Sequence, residues 1–175
     1  MRYAALLRGI NVNSGTAIAM SDLRAVVERL GHSEVRTHLR SGNVVFTSAD
    51  ERPERVASLI ERGIAEDLGR TISVIVRTAA ELRRVVEENP LTVPDPARFA
   101  VMFLSGPPDR AALEGIDPAA YAPEEMRIGT RELYLHFPEG MRRTRLHPLL
   151  EKRLDGVCTT RNWNTVTRLL ALTEA

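Results

Sequence analysis

The chain has one cysteine, one tryptophan and one lysine in 175 residues, and only 5% of it is aromatic. The single cysteine, Cys158, excludes an intramolecular disulfide and suits a reducing compartment. No apolar run approaches the roughly 20 residues that a membrane-crossing helix requires. The opening Tyr3–Leu7 stretch is interrupted by Arg8, which leaves it too short for the apolar core of a signal peptide. A cytoplasmic protein with no membrane partner is therefore expected. An excess of one charge is also lacking. The 24 basic and 23 acidic residues leave +1 at pH 7, so whole-surface attraction for polyanions is excluded and any anion site must be local. Neither a G-x-G-x-x-G fingerprint nor a P-loop is present. His32, His38, His136 and His147 show no metal-ligand spacing with carboxylates or with Cys158. No cofactor and no metal are expected. Lys152 is the only lysine, so arginine supplies nearly all the positive charge. A guanidinium suits phosphate and carboxylate, but a bias spread along the chain does not locate a site.

What is present is an ordinary globular composition, 43% hydrophobic and 27% charged, long enough to bury a core in one domain or in two halves. Tyr3 to Arg8 reads as a buried first strand, followed by a loop from Gly9 to Met20 that contains Asn13 and Ser14. Ser21 can cap a helix with Leu23, Val26, Val27 and Leu30 at helical spacing and Gly31 as its stop. Val35 to Leu39 and Val44 to Ser48 read as a hairpin turning through Arg40, Ser41, Gly42 and Asn43. Pro53 opens a second helix that Gly69 ends, and the β-branched Thr71 to Arg77 run reads as a strand.

The fold class this implies is α+β, with a ferredoxin-like βαββαβ N-terminal half forming one antiparallel sheet with both helices on one face. A further helix runs from Ala79 to Glu88, and the prolines at 90, 94 and 96 mark a linker. The element order then partly repeats. Strands at Phe99–Leu104, Met126–Ile128 and Leu133–Phe137 accompany helices at Asp109–Glu114 and Leu146–Leu154. The expected organisation is a first unit over residues 1–89 and a second, related unit over 97–175 packed against it.

Three segments carry candidate chemistry. The run Thr159, Thr160, Arg161, Asn162, Trp163, Asn164, Thr165 consists of hydrogen-bond donors and precedes Val166, Leu169 and Leu170, so it reads as the start of a final amphipathic helix. Asn162 or Thr160 can cap that helix, and Trp163 shares the apolar stripe of Val166 and Leu170, which makes it a core anchor. Arg161 and Asn164 then remain beside a positive helix end, where an anion can be held. Arg8 and Asn11 follow the first strand, at a sheet edge where binding residues often sit; an ion pair and a turn cap are the structural alternatives. Ser41 and Asn43 are what a hairpin turn requires in any case. Cys158 has no third group to orient a base beside it and reads as a small buried hydrophobe.

Leu7–Val12, Ser41–Phe46 and Thr159–Val166 together resemble the DUF1697 family of uncharacterised bacterial proteins, in the right order and over nearly the whole chain. The resemblance implies an α+β fold with ferredoxin-like elements and names no reaction. Family members often carry a glycine pair and then lysines after the position of Val12; here Asn13, Ser14, Gly15, Thr16 and Ala17 stand there, so the sequence supports no basic phosphate loop.

The reading these residues support is a binding domain for a small phosphate- or carboxylate-bearing ligand, or a short nucleic acid, through Arg8, Asn11, Ser41, Asn43, Thr160, Arg161, Asn162 and Asn164. An enzyme of unidentified reaction using the same cleft, and a protein-interaction module using a sheet edge, are the alternatives.

Overall fold

The computed structural model describes residues 1–12 and 14–175; Asn13 of the first loop lies outside the described residues. The fold is mixed α+β. It divides into two compact units, Met1–Arg84 with Arg168–Ala175, and Val85–Thr167.

In the first unit the elements run β1 (Arg2–Leu7), α1 (Met20–Arg29), β2 (Ser33–His38), β3 (Asn43–Thr47), α2 (Pro53–Leu68) and β4 (Val74–Thr78), after which α3 (Ala79–Glu87) begins. The strands form one antiparallel sheet in the order β2-β3-β1-β4. β1 is central, and this explains its unbroken apolar sequence: a strand buried on both faces has no polar alternation. Tyr3, Ala5 and Leu7 on one face and Ala4 and Leu6 on the other are all inaccessible. The first set packs with Leu23, Val26 and Val27 of α1 and Val56, Ile60 and Ile64 of α2, so both helices cover the same face. Each fully buried Leu, Val or Ile side chain among them contributes roughly 1.5–3 kcal/mol.

Helix α2 starts at Pro53, whose fixed φ suits the first turn, and ends where Gly69 takes a left-handed φ of 63° and donates its N–H to Ala65 O. Helix α1 starts one residue before Ser21, after Ala19, with no side-chain cap. Just before it, Asn11 holds Ile18 at both backbone groups, accepting from its N–H at Oδ1 and donating Nδ2 to its carbonyl.

The second unit repeats this order completely, with β5 (Phe99–Leu104), α4 (Arg110–Glu114), β6 (Glu125–Ile128), β7 (Glu132–His136), α5 (Leu146–Arg153) and β8 (Cys158–Asn162), after which α6 (Trp163–Glu174) begins, its residues from Arg168 on counting with the first unit. Its sheet order, β6-β7-β5-β8, is the same pattern. The register of the central strand with both its neighbours agrees residue by residue, while the bulge of β2 between Ser33 and Arg36 has no counterpart in β6. Leu7 donates to Gly42 O and Arg8 to Ser73 O, as Leu104 donates to Arg131 O and Ser105 to Val157 O. With Leu7 opposite Val74 and Leu104 opposite Cys158, Arg77 corresponds to Arg161 and Thr78 to Asn162. Each arginine is buried and donates to the carbonyl of the residue before it, and the residue after each caps the following helix.

That correspondence corrects the reading of the C-terminal motif. Thr160, Arg161 and Asn162 lie on a strand and not at the start of a helix. The central strand β5 needs a partner on its second side, β-branched Thr159 and Thr160 fit a pleated edge, and the helix begins only at Trp163. Trp163 is largely buried, as an anchor requires, with its ring edge-on to Phe99 at 5.3 Å and 84°.

Candidate functional site

The end of β1 and the start of β4 are neighbours because the two strands pair along their length. The last rung of that pairing, Arg8 N–H to Ser73 O at 3.0 Å, leaves the Arg8 side chain where the sheet gives way to loop. Gly9 then turns the chain with φ +69°, in open space where an added Cβ would meet nothing within 4 Å. Two residues on, Asn11 takes φ 55°, a conformation an Asx side chain tolerates. Its backbone N–H bonds Thr16 O, and its Nδ2 reaches Arg40 O in the hairpin as well as Ile18 O. The loop is thus closed on itself and tied down by one residue.

On the opposite wall, the turn between α2 and β4 brings Arg70 to the loop, where Nη1 donates to Gly15 O at 2.8 Å. Between these walls lies a cavity of about 300 Å³. Arg8, Gly9 and Ile10 form one side, Gly15 and Thr16 a second, and Gly69, Arg70, Thr71 and Ile72 the third. Among the described residues its lining includes two arginines, Arg8 and Arg70, and no acidic residue. Among the described residues the Arg8 side chain makes no hydrogen bond or ion pair. The backbone N–H groups of Gly9, Ile10, Arg70 and Thr71 likewise donate to no acceptor among the described residues. A smaller cavity of about 130 Å³ shares Arg70 as a wall and includes Asp22. Chemically, the larger cavity offers positive charge and hydrogen-bond donors, which is what an anion needs.

The structure places the sequence-predicted residues unevenly. Arg8 lines the cavity, while Asn11 shapes its loop and uses both side-chain ends in doing so. Ser41 and Asn43 sit in the β2–β3 hairpin. There the fully buried Asn43 donates Nδ2 to His38 O at 2.7 Å and to Ser41 Oγ at 3.1 Å. Thr160, Arg161, Asn162 and Asn164 belong to the second unit. Thr160 Oγ1 is 2.9 Å from His147 Nε2, whose Nδ1 lies 3.5 Å from Glu151, which ties β8 to α5. Asn162 Oδ1 accepts from Thr165 N–H at 2.9 Å and so caps α6, while Asn164 is exposed on its first turn. Cys158 is buried in the second unit's core among residues that include Leu146 and Leu150.

Arg161 does not present its charge to solvent. It is 7% exposed, and its guanidinium donates to Thr159 Oγ1 at 2.7 Å and to Thr160 O at 2.9 Å. Desolvation by burial lowers its pKa to about 10, which still leaves it protonated at neutral pH.

The sequence carries no local signal for Gly69, Arg70, Thr71 and Ile72, which form the third side of the cavity. Arg70 is an exposed arginine in a turn, with nothing in its local pattern to distinguish it. The usable signal was topological: in a βαββαβ unit the outer strand β4 pairs with β1, so the residues before β4 must face those after β1. Among the described residues, no group of three or more His, Cys, Asp or Glu could hold a metal ion, and no helix is long and apolar enough to cross a membrane.

A family model described as a protein of unknown function, DUF1697, matches residues 1–134. No curated protein matches the chain. A solved structure described as that of the conserved bacterial protein SP0830 from Streptococcus pneumoniae is similar over 98% of each chain, with a TM-score of 0.78 and 25% sequence identity.

Proposed function

The chain belongs to the DUF1697 family of unknown function, and we propose from its geometry that it is a binding protein for a small anionic ligand, held in the cavity of its first, ferredoxin-like unit. One observation carries this reading: a cavity of about 300 Å³ lined by two arginines and no carboxylate, in which the Arg8 guanidinium has no partner among the described residues. A surface arginine with no nearby carboxylate is common. One that shares a concave site with a second arginine and with open backbone donors is a ready-made anion receptor, because like charges at close range raise the local potential well above what a net charge of +1 gives.

In this reading Arg8 and Arg70 are the ligand-binding side chains. Asn11 is a positioning residue that fixes the loop, and Ser41 and Asn43 support the neighbouring hairpin. Nucleic acid is the less favoured ligand, since no aromatic side chain lines the cavity to stack a base.

The test is calorimetric titration of the purified protein with phosphate, sulfate and citrate at low ionic strength, with Arg8→Gln alongside. Saturable binding of at least one anion that the substitution weakens tenfold or more supports the proposal. The absence of binding by all three, or equal binding by the variant, refutes it.

A further inference from the structure

We infer that the ligand of this cavity is a phosphate monoester on a small, non-aromatic carrier. The inference rests on the anion-binding reading and narrows it. A carboxylate is planar with two oxygens and is satisfied by the fork of one arginine. Here the donors come from two separate segments: Arg8 with the N–H groups of Gly9 and Ile10, and Arg70 with the N–H of Thr71. Donors supplied by two separate segments exceed what the two oxygens of a carboxylate require and suit a tetrahedral group with three terminal oxygens. Charge agrees as well, since a monoester carries about −1.5 to −2 at neutral pH and faces two guanidiniums with no carboxylate on the cavity wall.

The glycines fit the same picture. Gly9 at φ +69° and Gly69 at φ +63° both leave the space where a Cβ would stand empty, so an oxyanion can approach the backbone at either wall. The sequence lacked a basic glycine-rich loop after the first strand, but the fold supplies the second cation from outside that loop, through Arg70 at the end of α2. The carrier is limited by what remains. About 300 Å³ lies at the lower end of small-molecule sites. Ile10 and Ile72 give apolar surface, Thr16 and Thr71 give hydroxyls, and no ring is present to stack a nucleobase.

The experiment compares matched ligands by calorimetry on the full chain: glycerol 3-phosphate, glycerate, glycerol and adenosine monophosphate, each against the native protein, Arg8→Gln and Arg70→Gln. The expected result is saturable binding of glycerol 3-phosphate at least tenfold tighter than glycerate, no binding of glycerol, no gain from the adenine base, and a loss of tenfold or more in each variant. Circular dichroism checks that the variants fold, and a variant that does not fold is replaced by Arg8→Lys or Arg70→Lys, which keeps the charge but not the fork and still weakens binding. If glycerate binds as well as or better than glycerol 3-phosphate, the phosphate inference fails while the anion site stands. If neither anion binds, both fail. Tighter binding of adenosine monophosphate than of glycerol 3-phosphate overturns the small-carrier assignment.

Discussion

Gly42→Ala is the substitution whose effect follows most directly from the coordinates. Gly42 ends the β2–β3 turn with φ +89° and accepts the Leu7 N–H at 2.9 Å, so it sits where the hairpin presses on the end of β1. A β-carbon added there would lie 2.6 Å from Ile10 Cδ1, 2.9 Å from Ile10 Cγ1 and 2.9 Å from Leu7 Cβ. Two penalties combine. Holding a non-glycine residue at positive φ costs roughly 1–2 kcal/mol, and forcing a methyl group into packed surroundings costs roughly 1–3 kcal/mol. The end of the Ile10 side chain can rotate away, but Leu7 Cβ is anchored in the central strand and cannot. The expected loss is therefore about 2–5 kcal/mol, a large share of a typical domain's 5–15 kcal/mol. Urea denaturation followed by far-ultraviolet circular dichroism measures it. Gly9→Ala is the control, since an added carbon there meets nothing within 4 Å and only the dihedral strain of about 1 kcal/mol remains. Equal losses in the two variants, or a loss below about 1 kcal/mol in Gly42→Ala, would refute the packing argument.

Other expectations follow from the second unit and from the histidines. Arg161→Ala removes a buried side chain and leaves its hydrogen-bond partners Thr159 and Thr160 behind; denaturation should register a loss of about 2–4 kcal/mol, and a loss under about 1 kcal/mol would show the site to be peripheral to folding. Asn162→Ala deletes the α6 cap and should cost about 1 kcal/mol, with Asn162→Asp retaining most of it. Burial depresses the His32 pKa, opposed by the Asp50 charge, and its Nε2 is enclosed without a partner, so protonation is disfavoured in the folded state. Stability from this residue is then complete above about pH 6.5 and is lost as the pH falls towards the folded pKa. His32→Phe should flatten the drop in urea midpoint between pH 7.5 and 5.5. It will not abolish it, since His38 is depressed too, first by burial and then by Arg168.

Much of the fold is legible in the sequence because its signals are local and agree with one another. Pro53 and Gly69 bracket α2, the apolar run Tyr3–Leu7 identifies a strand buried on both faces, and Phe99–Leu104 is recovered at its observed limits. β8 was not legible, because Thr159 to Asn162 carries few apolar residues and leads without a break into the helix that Asn162 caps. Its strand character comes from pairing with β5, a long-range requirement that only the repeated element order discloses. The site divides along the same line. Arg8 could be picked out because it follows a strand recognisable by itself. The burial of Arg161 is not legible because it depends on neighbours distant in sequence, and the place of Arg70 beside the cavity is not legible because it depends on β4 lying beside β1.

The central claim is that the cavity beside Arg8 and Arg70 receives an anion, and amide chemical-shift mapping with inorganic phosphate tests it most directly. Titration into the ¹⁵N-labelled protein at constant ionic strength should shift the backbone amides of Gly9, Ile10, Arg70 and Thr71 together along one saturable curve, and Arg8→Gln should abolish the response. Shifts centred instead on Arg161 to Asn164, or small non-saturating changes spread over the many surface arginines, would contradict the account.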